Sequence, residues 1–472
     1  MRIRILFIAL LFAIPTSLSA QYRIKIDIEG NKDSMLILGN YYLDATYAFD
    51  TAYSSKGSFL FEDKERELYD GIYFFANSSG KYAEFILDNE RRFALKTKDE
   101  DWSKHIEAKN SKANKLYFEY MKNNFEFADK AKEISQNKEG LSEAEKDEKM
   151  KQLRLKSDSL KEIFLNQNPN HLLSIVLNST KEIDIPEPEK KYLEDGSLDS
   201  NSMQQERYNY YISHYFDNIN LGVEGILRTP SAVFFSKYDR YWNEIMKYQH
   251  NDTIIKYANH WIDKSRGSKQ VFKFFVHDIT ERFLQSAVMG HEEIYIRMIK
   301  KYYESGEADW MGPSDLDKEV ARANKWSKTM RGKVLPDIQC PDTNDVIHGF
   351  YDLDAKYKVL IFWAYDCGHC SKELPQLYEF YKDNKDVYDV EVMAINSGVD
   401  LDKWKEFIRS KKLNWLNVNG LVSNYDWHDY FDMNTTPYIV ILDRDNKIIA
   451  KRISAGNIQN FIKYYEEGLI TL

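Results

Sequence analysis

Between residues 22 and 28 apolar and polar side chains alternate, Tyr22-Arg23-Ile24-Lys25-Ile26-Asp27-Ile28, and a similar alternation returns in Gly57-Ser58-Phe59-Leu60-Phe61. A period of two puts every second side chain on one face and predicts half-buried strands. Shorter runs at 35–38, 71–75, 83–87 and 92–96 add strands separated by turn residues. Residues 21–100 are therefore expected to form an antiparallel β-domain, a small barrel or sandwich. From 101 to 331 the pattern becomes helical. Residues 111–161 are rich in Lys, Glu, Ala and Leu and break at Gly140-Leu141-Ser142, which predicts a helical hairpin with Ser142 and Glu145 as a capping box. An exposed acidic connection, Ile185-Pro186-Glu187-Pro188-Glu189, leads toward aromatic-rich helices beyond Glu206.

From residue 332 strands and helices alternate, as expected of an α/β domain occupying 332–472. The run Val359-Leu360-Ile361-Phe362-Trp363-Ala364 is apolar at every position and predicts a strand buried on both faces. Further strands are expected at 390–395, 414–418 and 438–443. A helix is expected at 402–410, with Trp404, Phe407 and Ile408 on one face, and another closes the chain at 458–467. The fold class is thus multidomain α+β: an antiparallel β-domain, a helical middle region (101–331) and a C-terminal α/β domain.

The chemistry concentrates just after the apolar run, at Cys367-Gly368-His369-Cys370, followed by a helical stretch containing Glu373 and Pro375. Two cysteines two residues apart at a strand-to-helix junction form a redox dithiol motif. Cys367 would stand where unpaired helix N–H groups and the helix dipole favour a thiolate, the nucleophile of disulfide exchange. His369 can add a hydrogen bond or positive charge beside it, whereas Asp366 opposes the thiolate unless it faces solvent.

Together with Gly332-Lys333-Val334-Leu335-Pro336-Asp337-Ile338 and Thr436-Pro437, these motifs resemble thioredoxin-like proteins of the TlpA/ResA type over most of the last 140 or so residues. The resemblance implies a thioredoxin-like fold for 332–472 and thiol–disulfide exchange, with Cys367 and Cys370 as the catalytic pair. It also implies a cis Thr436–Pro437 bond facing the dithiol and Glu373 as the proton-handling acid. Thr436, Pro437 and Trp363 are the expected substrate-binding residues, and Gly368, His369 and Asp366 the redox-tuning ones. Asp366 departs from the family's frequent Trp at that position, and Ile361 stands where thioredoxin has a buried aspartate. The β-domain and helical region resemble those of envelope members of the family. Such relatives are usually reductants, kept reduced by a membrane thiol carrier and acting in cytochrome c maturation.

Residues 1–20 read as a signal peptide, with Arg2 and Arg4, an apolar stretch over 5–14 and the exit Ser17-Leu18-Ser19-Ala20. The apolar stretch is short for a membrane span, and no lipobox cysteine is present. The expected location is therefore the periplasm, with no stable membrane insertion after cleavage. The formal charge of −9 has both signs dispersed and no basic aromatic cluster, which argues against nucleic acid as a partner. Three cysteines in 472 residues exclude a disulfide-stapled scaffold, and Cys340 is expected to be a buried, inert thiol. His214 with Asp217, and His291 with Glu292 and Glu293, lack metal-ligand spacing, so neither a metal nor a cofactor is called for.

The function expected is exchange of disulfides with exported proteins, as reductase or isomerase rather than oxidase. Two alternatives remain. One is a non-catalytic envelope binding or chaperone module with a vestigial redox domain. The other is a peroxiredoxin-like peroxidase, disfavoured because Ala364 and Leu360 occupy the positions where its threonine and proline would stand.

Overall fold

The computed structural model describes residues 21–54, 56–136, 140–431 and 435–470. The signal-peptide reading falls outside these residues. The chain divides into two compact units, Met1–Tyr248 with Asp263–Phe272, and Gln249–Ile262 with Lys273–Leu472. Each is described separately.

In the first unit, eight strands precede the helices: β1 (Tyr22–Glu29), β2 (Met35–Tyr42), β3 (Ala45–Tyr53), β4 (Ser58–Asp63), β5 (Gly71–Ala76), β6 (Tyr82–Leu87), β7 (Arg92–Lys98) and β8 (Glu107–Lys109). They make two four-stranded sheets, ordered β4-β1-β7-β8 and β3-β2-β5-β6. The alternation in β1 turns Tyr22, Ile24, Ile26 and Ile28 into a core shared with Leu36, Leu38, Phe59, Phe85 and Trp102. One pairing departs from the antiparallel expectation, because β1 and β7 run parallel. β3 and β8 escape the sequence pattern. β3 is almost wholly exposed or half-buried, with little contrast between its faces, and β8 has three residues.

The first helices are α1 (Lys112–Ser135) and α2 (Glu143–Gln167), the expected hairpin. Ser142 and Glu145 form the reciprocal capping box. Asn114 of α1 ties to β6, accepting from the Ile86 N–H at 2.8 Å and donating to its carbonyl at 2.7 Å. α3 (Leu172–Ser179), α4 (Ser200–His214), α5 (Phe235–Arg240), α6 (Asn251–Lys264) and α7 (Lys269–Leu284) follow in sequence, then α8 (Glu292–Met298) and α9 (Pro313–Lys328). Among the described residues, no helix is long and apolar enough to cross a membrane.

The second unit contains the short pair β9 (Gln339–Pro341) and β10 (Ile347–Gly349), then β11 (Tyr357–Trp363), α10 (Cys370–Tyr388), β12 (Val390–Asn396) and α11 (Leu401–Lys411). β13 (Leu416–Asn419), β14 (Tyr438–Leu442), β15 (Ile448–Lys451) and α12 (Ile458–Glu466) complete it. The sheet order is β13-β12-β11-β14-β15, with β11, β12 and β13 parallel and β14 and β15 antiparallel to their neighbours. All seven residues of the central β11 are buried. Val359, Ile361 and Trp363 join one core with Leu374 and Leu377 of α10 and Ile458 of α12. Leu360 and Phe362 join another with Leu335, Ile338, Cys340 and Trp427. Burial on both faces explains why the run carries no polar position.

The two histidine clusters weighed as metal ligands have structural partners instead. His214 Nδ1 lies 2.9 Å from the Tyr210 carbonyl, and His291 Nδ1 2.8 Å from Ser286 Oγ. Glu293 accepts from Arg297 at 2.7 Å. Glu292, in the first turn of α8, meets Lys451 of β15 with Nζ 3.1 Å from Oε1, the side chains 5% and 12% exposed. Desolvation lowers the Lys451 pKa, and Glu292 opposes that shift. Removing one member of such a pair strands the other charge out of water. Lys451→Met should therefore lower stability by about 3–5 kcal/mol, and Lys451→Met with Glu292→Leu should recover most of it. Urea unfolding of the three proteins checks this; equal losses in the single and double variants would show that the pair is not coupled.

Candidate active site

β11 ends at Trp363 and α10 begins at Cys370, so the motif occupies the turn between the central strand and the helix N-terminus. His369 is the N-cap residue, and no side chain caps the helix. The Cys367 sulfur takes that place instead, accepting from the Cys370 N–H at 3.3 Å. An N-cap acceptor satisfies an orphan amide, and an anionic one gains from the helix dipole as well. Cys367 is half-buried and Cys370 almost fully buried.

This geometry separates the two thiols. Burial raises the Cys367 pKa, but hydrogen bonds from Cys370 and Thr436 and from the backbone N–H groups of Cys370 and His369 outweigh it, and the net shift is downward. The thiol also donates to the Thr436 carbonyl at 3.1 Å, a contact that favours the protonated form. Cys370 is pushed up to about 12, first by burial and then by its hydrogen bond with Cys367. Cys340, fully buried in β9, is likewise pushed up to about 12 by burial.

The other expected site residues are distributed unevenly. The Thr436–Pro437 bond is cis, and both residues are half-buried at the start of β14, with Thr436 in contact with the Cys367 sulfur. His369 is exposed, and its influence on Cys367 comes through the backbone N–H, where the sequence suggested the imidazole. Asp366 is exposed to solvent, and Gly368 has open space where a side chain would stand. Glu373 accepts from the Ala455 N–H at 2.7 Å, and neither sulfur is among its hydrogen-bond partners. Trp363 requires correction as a substrate-binding residue. It is completely buried and packs against Phe407 at 5.1 Å between ring centroids, because the inward face of β11 turns it into the core.

A cleft of about 860 Å³ opens beside the dithiol turn, lined by His369, Glu373, the 435–438 segment and Arg452 to Ser454. Its other wall comes from α7 and α9 through Glu281, Leu284, Arg322 and Trp326. Sequence reasoning missed this wall. Its residues lie some 40–90 positions before the motif on helices whose pattern signalled only amphipathic packing.

The thioredoxin-like family model matches residues 354–448, and that of a domain of unknown function (DUF4369) matches residues 22–117. The thiol–disulfide oxidoreductase ResA of Bacillus subtilis is 28% identical over 118 residues, covering 25% of this chain and 64% of the relative. Residues 354–448 therefore form a thioredoxin-like domain, similar in sequence to that ResA protein. The chain spans less than two thirds of that curated relative's length. A domain of a possible thiol–disulfide isomerase from Cytophaga hutchinsonii is 38% identical, covering 30% of this chain and 95% of its own, with a TM-score of 0.28. A thioredoxin-like protein from Bacteroides caccae is 16% identical, covering 60% and 99% respectively, with a TM-score of 0.46.

Two measurements follow from the thiol environments of this thioredoxin-like domain. In the reduced protein Cys367 should be alkylated first, with a rate rising through a pKa below the ordinary value of about 8.5. A depressed pKa keeps the thiolate populated at lower pH, while Cys370 and Cys340 stay protonated. Peptide mapping after limited iodoacetamide labelling checks the order, and Cys370 labelled first would reverse the roles. Separately, His369→Pro removes the backbone N–H and should raise the Cys367 pKa, whereas His369→Ala keeps it and should shift the value less. An equal shift in both variants would return the effect to the imidazole.

Proposed function

We propose that the chain is a periplasmic thiol–disulfide oxidoreductase acting on disulfides of exported proteins, as reductase or isomerase. The observation that carries the reading is the pairing of a half-buried thiol of lowered pKa, Cys367, with a buried one raised to about 12, Cys370, beside the Thr436–Pro437 segment. A nucleophile needs access and thiolate character, whereas a resolving thiol needs to stay protected until the first step is complete.

The Cys367 thiolate attacks one sulfur of a substrate disulfide. That S–S bond breaks, the released substrate sulfur leaves as a thiolate that takes up a proton, and a mixed disulfide joins substrate to Cys367. Cys370 then loses its proton and attacks the Cys367 sulfur, which releases the second substrate thiol. The substrate has gained two electrons, and the enzyme is left with a Cys367–Cys370 disulfide. A dithiol donor, by resemblance a membrane thiol reductant, returns those electrons by the reverse exchange. Thr436 and Pro437 hold the substrate backbone. Glu373 receives the Cys370 proton, and its place on the cleft wall supports that role. Export rests on the 1–20 segment, and processing is expected at or near Gln21.

With dithiothreitol as reductant, the full chain should accelerate insulin reduction, and Cys367→Ser should abolish the acceleration. Cys370→Ala should instead accumulate mixed disulfides, visible as adducts on non-reducing gels. No acceleration by the unaltered protein would favour the binding-module alternative.

A further inference from the structure

Apart from the dithiol, the cleft wall carries charged groups, and most are engaged. Arg322 donates to both oxygens of Glu319 at 2.7 and 2.9 Å. Glu281 accepts the Gln285 amide at 2.5 Å, and Glu373 the Ala455 N–H at 2.7 Å. Arg452 differs. Its guanidinium carbon lies 4.7 Å from the centroid of the Trp326 ring, and no carboxylate pairs with it among the described residues. The residue is exposed and lines the same cleft as the 435–437 segment.

The backbone adds an independent observation. Arg452 has φ of 55°, in the left-handed region that disfavours residues with a Cβ and in which glycine is at ease. Its N–H is nevertheless held by the Ile439 carbonyl at 3.0 Å, next to the Thr436–Pro437 segment in sequence. The residue just before it, Lys451, is buried and paired with Glu292. The strand end from which Arg452 projects is thus fixed on both sides, and a long cation occupies a position whose backbone suits glycine. A guanidinium stacked on an indole keeps its in-plane N–H donors for a carboxylate and loses little side-chain freedom when one arrives.

We propose that Arg452, stacked on Trp326, is a specificity-determining residue that binds a carboxylate of the substrate, so that the enzyme selects extended segments with an acidic residue beside the reactive disulfide. The inference rests on the oxidoreductase reading for the meaning of substrate, but its binding step can be tested without exchange. It deepens that reading by naming the chemistry of the polypeptide that the cleft accepts.

Two fluorescent peptides differing only in Glu or Gln beside a serine that replaces the cysteine supply a redox-inert probe. Anisotropy with the full chain should show the Glu peptide bound about fivefold more tightly, a preference that weakens as salt is raised. Arg452→Gly suits the left-handed backbone and should fold, yet bring the ratio of affinities close to one. Arg452→Lys should retain part of the preference, and Arg452→Glu should reverse it. In exchange assays with the matching disulfide peptides, the change should appear in KM more than in kcat. An affinity ratio that is already one in the unaltered protein, or is unchanged in folded Arg452→Gly, overturns the assignment. Intact acidic preference without exchange of either disulfide peptide would instead remove the oxidoreductase reading and leave Arg452 as a binding residue.

Discussion

The chemistry depends on one arrangement: an uncapped helix N-terminus whose amide donates to the Cys367 sulfur. Helix α10 opens without a side-chain cap, and the N–H of its first residue, Cys370, is 3.3 Å from that sulfur. The position is inherited from β11. Because that strand is the middle of the five-stranded sheet and buried on both faces, its end is fixed by two cores, and the turn that follows has little freedom to wander. The thiolate-favouring contact is therefore a consequence of sheet packing as much as of the residues in the motif.

The same packing divides three cysteines into different chemical species. Cys340 and Cys370 lie in desolvated surroundings that hold their protons, while Cys367 keeps partial access and backbone donors. Neither His369 nor Asp366 need act through its side chain for this division to arise, since both are exposed. Control of the thiol falls to Cys370 and Thr436 and to the main-chain N–H groups of Cys370 and His369.

Much of this was legible in the chain. The all-apolar run at 359–364, the cysteine spacing and Thr436-Pro437 each express a local constraint, and each lies where the pattern placed it. The capping box at Ser142 and Glu145 and the alternating β1 are readable for the same reason. What was hidden depends on contacts distant in sequence. The inward orientation of Trp363 is set by the pleat of β11 against α11, so proximity to Cys367 along the chain misled. β3, with little difference between its faces, offered no period to read. The parallel β1–β7 pairing brings together segments more than 60 residues apart. Arg452 and Trp326 meet only after α9 and β15 are packed, and nothing in the local spacing of either residue announces the cleft that they share.

A pH titration of the ultraviolet thiolate absorbance of the reduced full chain, set beside that of Cys367→Ser, tests the central claim most directly. One thiolate should form with a pKa below about 8.5, well separated from the remaining two, and the Cys367→Ser protein should lack that step alone. Three thiols titrating together at or above about 8.5, or a low step that survives in Cys367→Ser, would contradict it.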